Sequence, residues 1–497
     1  MHGKLFSVTA QLETAEGTFE GTATAANLVA VKDGSYTTDY DKINRNLALP
    51  SLTEAAPLAG PSRIQLEFSM EMLGPSSLTA DPAFDLLLRA CGWRAYGSTD
   101  TTKVPWALGG AGANDVGRVV YFTASDTWTA GTVLEHGTLI EGGTTSAAQF
   151  KVLGSYVPGD TRIFALVTSG TDISGYTDTS IVDQATGTAI DITTTAGATL
   201  ANRVYTPIDR ASYFLHGSSG ALGTLTPGTV LTGSVSKANG YILPVDGLPF
   251  GHPHDTDKGT ALVERSHSFG FFTGSEDAVR GGISNIIDIS QTPVQYDIPS
   301  LSLEFYEDGE QHRVSGCRGN VVMTYRAGRA PELKFTMQGS LVTTKTSPAP
   351  FPTIDLEADI APRLVASTIN IDNELKPLFS EFTIDGGSQI VVPPDHSSNS
   401  GVGVARYTGR RFSGNIDPEA VHTQEYGLHN HARVAIPFAL TADWGTGGTD
   451  GFFAHVPRAI FSQVQRNNDN GILRYGMPMT LHGKAAAKGD EIILATY

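Results

Sequence analysis

Residues 300–328 read SLSLEFYEDGEQHRVSGCRGNVVMTYRAG, and the fold follows from whether this stretch is a reaction centre or a hairpin. Glu304, Glu307, Asp308, His312, Arg313, Cys317 and Arg318 can each act as an acid, base, nucleophile or metal ligand. Leu301, Leu303 and Phe305 nevertheless fall on one side of an extended chain, and Ser302, Glu304 and Tyr306 on the other, which is the period of a strand. Asp308-Gly309 supplies turn chemistry, so the stretch reads as a β-hairpin with its charges near the turn. Charges in that position are usually solvated or meet a neighbouring subunit. A reactive thiol needs a helix N-terminus or an electropositive cleft, whereas Cys317 sits in a strand-like run between Gly316 and Gly319. The stretch is read as scaffold, and no catalytic residue is assigned to it.

Working outward, alternation recurs. Ile64, Leu66, Phe68, Met70 and Met72 share one face of RIQLEFSMEML, and Leu333, Phe335 and Met337 share one face of LKFTMQGSL. One helix is signalled by DPAFDLLLRACG. There Asp81 is a candidate N-cap, Pro82 suits the first helical position and Gly92 suits the end. Phe84, Leu87, Leu88 and Cys91 make its apolar face, so Cys91 reads as core. A second copy of the plan is expected near the C-terminus. DPEAVHTQEYG (Asp417–Gly427) matches the helix stretch, and MPMTLHG (Met477–Gly483) matches LKFTMQG (Leu333–Gly339).

The expected organisation is mainly β. A first module of residues 1–95 and 290–345 is interrupted by β-rich outer material at 96–289; a linker at 346–355 leads to a second module at 356–497. The insertion has an internal echo: VVYFTASDTWTAGTVLEHGTL from Val119 and ASYFLHGSSGALGTLTPGTVLTGSV from Ala211 both join a Tyr-Phe pair to Gly-Thr-Val-Leu. Prolines in TKTSPAPFPTID mark the linker, and VVPPDHSSNSGVG (Val391–Gly403) is expected to be a long mobile loop.

Composition narrows function. Charged residues make up 17% of the 497, with 55 Gly and 26 Pro, which suits short strands and tight turns. A formal charge of −17 argues against wrapping nucleic acid or binding an anionic membrane, but it is compatible with a wall that polyanions pass without sticking. Two cysteines make neither a disulfide framework nor a zinc module. MHGKLFSVTAQLETAEG lacks the basic-then-apolar pattern of a secretory leader, and no apolar run reaches the ~18–20 residues that span a bilayer. No phosphate-loop, nucleophile-elbow or HExxH pattern occurs. His252, His254 and Asp255, or His429 and His431, could share a metal only with a third ligand that neither cluster supplies, so no metal or cofactor is expected.

Three segments taken together resemble the major tail tube proteins of long-tailed, siphovirus-like bacteriophages. The first is QLETAEGTFEGTATAANLVAV with INRNLALPSLTEAAPLAGPSRIQLEFSMEMLG, the second is ADPAFDLLLRACGW, and the third is SLSLEFYEDGEQHRVSGCRGNVVMTYRAGRAPELKFTMQGSL. The likeness covers roughly the first hundred residues and about 290–345, more weakly 351–497. The insertion and the second module depart from single-module members.

The resemblance implies β-sandwich modules with a flanking helix that lend strands to an inner barrel shared around a ring. Stacked rings form a negatively lined conduit through which double-stranded DNA passes without specific binding. It further implies a non-enzymatic virion protein, assembled in the host bacterial cytoplasm, with tape measure, tail terminator and distal tail proteins as partners and no membrane. Two modules per chain suggest three chains in a pseudo-sixfold ring. Asn44–Ser62 would be an arm to the adjacent ring. The insertion would lie outside, and its deletion would leave tubes intact. The alternative is a carbohydrate-binding or carbohydrate-cleaving β-protein of the tail tip or baseplate, for which Trp106 and Trp128 in the insertion, rather than Trp93 or Trp444, are the candidate contacts.

Overall fold

The computed structural model describes residues 6–21, 28–43, 57–74, 82–97, 119–124, 133–142, 148–157, 160, 162–169, 178, 180–187, 189–191, 198–201, 203–207, 212–216, 230–233, 239–242, 260–265, 277–280, 286–288, 294–296, 298–307, 309–347, 368–371, 378–398, 400–420, 427–445, 451–469, 471–483 and 491–497. The fold is mainly β. The chain opens with β1 (Phe6–Leu12), β2 (Leu28–Val29), β3 (Asp33–Ile43), β4 (Leu58–Glu71), helix α1 (Asp85–Ala90) and β5 (Trp93–Gly97). Next come β6 (Val119–Thr123), β7 (Leu139–Gly142), β8 (Gln149–Val152), β9 (Arg162–Ser169), β10 (Ser180–Asp183), β11 (Ala189–Asp191), β12 (Ala198–Leu200) and β13 (Arg203–Pro207). They are followed by β14 (Ser212–His216), β15 (Val230–Gly233), β16 (Asn239–Ile242), β17 (Thr260–Arg265), β18 (Asp277–Arg280), β19 (Ile286–Asp288) and β20 (Val294–Tyr296). The long hairpin β21 (Leu301–Glu307), β22 (Glu310–Arg326) and β23 (Glu332–Thr346) completes the first half. The second half holds β24 (Thr368–Ile371), β25 (Phe379–Asp385), β26 (Ser388–Val391), β27 (Arg406–Arg410), β28 (Ser413–Pro418), α2 (Leu428–Val434), β29 (Phe438–Trp444), β30 (Phe452–Phe461), β31 (Gln465–Asp469), β32 (Ile472–Leu481) and β33 (Ile493–Thr496).

One antiparallel pairing scheme occurs twice. In the first half β3 pairs with β4, β4 with β23, β23 with β22, β22 with β21 and β21 with β1. In the second half β25 pairs with β28, β28 with β32, β32 with β30, β30 with β29 and β29 with β24. A short helix follows the second strand of each set, α1 after β4 and α2 after β28. The last ladder bonds of the two sets, Met72 N–H to Pro331 O and Ala420 N–H to Leu473 O (2.9 Å each), align Met337, opposite Gly319, with Met479, opposite Phe461. The match of Leu333–Gly339 to Met477–Gly483 is therefore out of register by two residues, a slip that leaves every side chain on its original face. DPEAVHTQEYG is displaced further. Asp417 and Pro418 close β28, because the Asp417 carboxylate accepts from the backbone N–H groups of Ser380 and Glu381 on β25 (2.9 and 2.6 Å), and the helix begins only after Gly427.

Helix α1 also starts later than DPAFDLLLRACG suggests. Its N-cap is Phe84, the Asp85 N–H bonds back to Pro82 (2.9 Å), and Asp81 lies outside the described residues. Gly92 has φ +86°, the left-handed exit that suits glycine. Leu87, Leu88 and Cys91 are fully or almost fully buried, and burial pushes the Cys91 thiol well above its usual range.

Residues 119–296 contain two sheets of identical strand order; the second takes in β20 (Val294–Tyr296), so the inserted material runs past the boundary expected at 289. The first runs β11-β10-β7-β8-β9-β6-β12 and the second β19-β18-β15-β16-β17-β14-β20. Tyr121-Phe122 on β6 matches Tyr213-Phe214 on β14, as the sequence echo indicates. The second half of the echo is corrected: β15 corresponds to β7, so GTVLTG (228–233) matches GTLIEG (137–142) rather than the GTVL at 131–134.

The first of these sheets shares a core with the second module. Phe164 of β9 stacks on Phe453 of β30 (4.1 Å between centroids, 14° between planes), Tyr121 and Phe164 each pack 5.0 Å from Tyr497, and Arg162 pairs with Asp443 (3.3 Å). Between the two sheets β13 returns to pair with β5 on one side and β33 on the other. It brings Arg203 and Tyr205 to the buried Asp85 carboxylate, at 3.3 and 3.0 Å. The chain that leaves the first module thus builds part of the second before it returns.

Residues 391–398 and 400–403 are held rather than loose. The Asp395 carboxylate accepts from the Ser397 N–H (2.9 Å), Gly403 N–H reaches Pro393 O (2.8 Å), and Val392, Val402 and Ala405 form a small apolar cluster. Of the expected linker, Thr346 belongs to β23 and 348–355 lie outside the described residues.

Candidate assembly surface and polar sheet face

The two modules are stitched into one sheet. β22 is longer than its hairpin partner β21, and its far end pairs with β25 from Val322↔Asp385 to Arg326↔Glu381. The sheet runs β3-β4-β23-β22-β25-β28-β32-β31 through both modules. One face is apolar and buried, carrying Phe68, Phe335, Met323, Phe382, Ile416 and Met477. Across the joint Tyr325 stacks on Phe382 (5.6 Å, 21°) and meets Trp444 (4.7 Å), so the core is continuous. Trp93 is likewise buried; Trp106 and Trp128 lie outside the described residues.

The opposite face is polar along its length. Cross-strand partners share a face, so Ser35, Glu67 and Thr336 form one row and Thr324, Thr383 and Asn415 another. Carboxylates outnumber bases here, and four of the bases are held in ion pairs. Lys334 pairs with Glu67 (3.2 Å), Lys32 with Glu332 (3.3 Å), Arg326 with Glu381 (2.9 Å) and Arg474 with Asp417 (3.7 Å). Asp33, Glu71 and Asp385 stand opposite Ser69, Glu332 and Ser413 instead of a base. Exposed pairs of this kind add at most ~1 kcal/mol each to stability. Their larger consequence is that these four cations are already neutralised by neighbouring carboxylates.

Both ends of the sheet are open. Among the described residues β3 pairs only with β4, and β31 only with β32. Open edges are templates for further pairing. Sequence reading missed both strands. DGSYTTDYDKI is largely polar on either face and QRNND has no apolar residue, so neither gives a hydrophobic period; the Tyr/Thr enrichment of β3 is the signal that was available.

The charged residues of the opening stretch are engaged internally. Glu304 is buried; it accepts from the Tyr306 hydroxyl (2.7 Å) and pairs with Arg313 (3.0 Å). Ser302, Glu304 and Tyr306, on the other side of the alternation, are buried as well; Glu13 accepts from Ser300, Ser302 and the Gly316 N–H, and the Glu20 N–H donates to Ser302. Gly316 at φ +65° opens a bulge between Ser315 and Arg318 that aims the Arg318 guanidinium inward. That group donates to Ile298 O, Ala405 O (2.7 Å) and Glu16 (2.6 Å). Burial drives the Cys317 thiol well above its usual range, away from the thiolate that nucleophilic chemistry needs. Glu307 closes the hairpin opposite Glu310, and Asp308 lies outside the described residues.

His312 packs on Tyr36 (4.2 Å between centroids) with Nδ1 3.0 Å from the Thr344 hydroxyl, and burial lowers its pKa despite Glu310 and Glu307 nearby. A histidine held neutral in the folded state gives stability above its ordinary pKa that is lost as pH falls towards the folded value. Between pH 7 and 5 the unfolding midpoint in urea should fall, and His312→Gln should flatten part of that slope; an unchanged slope would rule out this role.

His429 and His431 sit two apart on α2, and such residues do not share a helix face. His252, His254 and Asp255 lie outside the described residues. Among the described residues no three His, Cys, Asp or Glu side chains converge as a metal site would require, and no helix is long and apolar enough to cross a membrane. Compared with known proteins, the chain matches no family model and no curated protein.

Proposed function

We propose that this chain is a structural virion protein whose copies close into rings and stack as the tail tube of a long-tailed bacteriophage, a conduit for the genome. The observation that carries the reading is the sheet through both modules, polar and acid-rich on one face and open at β3 and β31. Eight strands spaced ~4.8 Å apart make an arc, not a closed wall. Three copies make a barrel of about twenty-four strands. With the usual tilt its backbone diameter is roughly 35–50 Å, which leaves room for a duplex after side chains are added. The polar face then lines the bore, where paired cations and surplus carboxylates let DNA slide. The exposed Tyr40, Ile43 and Leu58 at the β3–β4 end support a contact between stacked rings there; of the expected arm 44–62, residues 58–62 belong to β4 and 44–56 lie outside the described residues. Tape measure, terminator and distal tail proteins are the partners of such a tube, and the virion tail is its location.

Electron microscopy of the purified protein at rising concentration is the test. Rings or tubes with a central hole are expected. Persistent monomers that bind or hydrolyse glycans would replace this reading with the carbohydrate one.

A further inference from the structure

The chain contains its own template for the joint between copies. Inside the molecule, five residues of the first module's long strand (322–326) pair antiparallel with five of β25 (381–385). The repeated pairing scheme makes β31 the counterpart of 322–326. Gln465 lies opposite Gly476 on β32 as Val322 lies opposite Lys334 on β23, and Asn467 opposite Arg474 as Thr324 lies opposite Glu332. The same scheme makes β3 the counterpart of β25. Gly34 lies opposite Phe68 as Phe382 lies opposite Ile416, and Tyr36 opposite Leu66 as Ile384 lies opposite Gly414. Yet β31 has no β25-like neighbour in its own chain, and β3 has no β22-like one, among the described residues.

We infer that β31 of one copy pairs antiparallel with β3 of the next, in the register that places Gln465 opposite Thr37, Arg466 opposite Tyr36, Asn467 opposite Ser35 and Asn468 opposite Gly34. This inference rests on the ring reading and specifies the joint by which that ring closes. The occupant of each edge is a second copy of this chain because the mate each edge needs is the other edge. The two joints differ in chemistry. Inside the chain the apolar side carries Met323 and Tyr325 against Ile384 and Phe382, all buried. Between copies Arg466 and Asn468 take the places of Met323 and Tyr325, and β31 is exposed at both. The joint between copies is therefore the less apolar one, held by backbone hydrogen bonds and an Arg466–Tyr36 contact of the cation–π kind. A subunit can thus remain dispersed until rings form.

Cysteine pairing reads this register directly, because facing residues on antiparallel strands stand ~4.5–5.5 Å apart at Cα, within disulfide range. The native Cys91 and Cys317 are buried and stay out of the reaction. The variant Gln465→Cys with Thr37→Cys should, on oxidation, give covalent multimers ending at the ring's copy number. Gln465→Cys with Thr38→Cys, one residue along and on the other face, should not. Val322→Cys with Asp385→Cys should bridge within one chain and serves as the control for folding and oxidation. Tubes seen by microscopy without cross-linking at Gln465–Thr37, or with preferential cross-linking at Gln465–Thr38, would overturn the register and leave the ring reading standing. Dispersed monomers with no cross-link would overturn both.

Discussion

Deleting residues 96–289 should give a chain that no longer folds, whereas deleting 212–296 and joining the ends with a short Gly-Ser bridge should leave folding and assembly intact. The larger deletion removes β13 and the whole first inserted sheet. Phe453, Ile493, Ala495 and Tyr497, all buried under that sheet or among its strands, would face water. Each large side chain uncovered costs roughly 1.5–3 kcal/mol. Asp85 would also lose Arg203 and the Tyr205 hydroxyl, keeping only the longer pair with Arg89 (3.7 Å), and each partner lost to a buried group costs about 1–3 kcal/mol. Together these rival the ~5–15 kcal/mol by which domains are stable. The smaller deletion cuts where β14 and β20 run side by side, Ser212 opposite Tyr296, so the bridge spans little. Soluble yield and thermal unfolding of the two variants decide the matter. An unchanged melting temperature after the larger deletion would contradict the shared core and restore the view of 96–289 as a dispensable outer appendage.

Arg318→Met should lower stability by about 3 kcal/mol or more, read as a shift of the urea midpoint with little change in slope. The guanidinium is 6% exposed as a residue and ties Ile298, Ala405 and Glu16 to the bulge in the long strand. Methionine fills much of the same volume but removes the donor to the buried Ala405 carbonyl and the charge partner of Glu16, and a buried acceptor deprived of its donor costs ~1–3 kcal/mol. Arg326→Met, by contrast, breaks an exposed pair with Glu381 and should change stability by less than ~1 kcal/mol. Equal effects at the two positions would mean that Arg318 is not the brace its contacts indicate.

What the sequence made legible depended on whether a strand has one wet face. β4 and β23 alternate apolar and polar residues, and both were readable with their buried faces named. β13 reads RVYTP and is buried throughout, so it has no alternation to betray it and was lost within the insertion. β3 and β31 are largely exposed in the isolated chain, and a hydrophobic period has nothing to record there. The repeat of the two modules was visible in short echoes, but the register of those echoes was not, because a slip of two residues preserves the pattern of a strand. The hairpin of 300–328 could be recognised from the alternation of Leu301, Leu303 and Phe305 and the turn at Asp308-Gly309. Its contacts to Glu13 and Glu16 could not, since those partners lie about three hundred residues away in the chain.

The most direct measurement is a reconstruction by electron microscopy of the assembled protein at a resolution that separates strands. It should show β31 of each copy hydrogen-bonded to β3 of the next, a closed wall around a central bore, and Glu67, Glu381 and Asp417 pointing into that bore. A wall in which these residues face outward, or copies that meet without joining their sheets, would contradict the account.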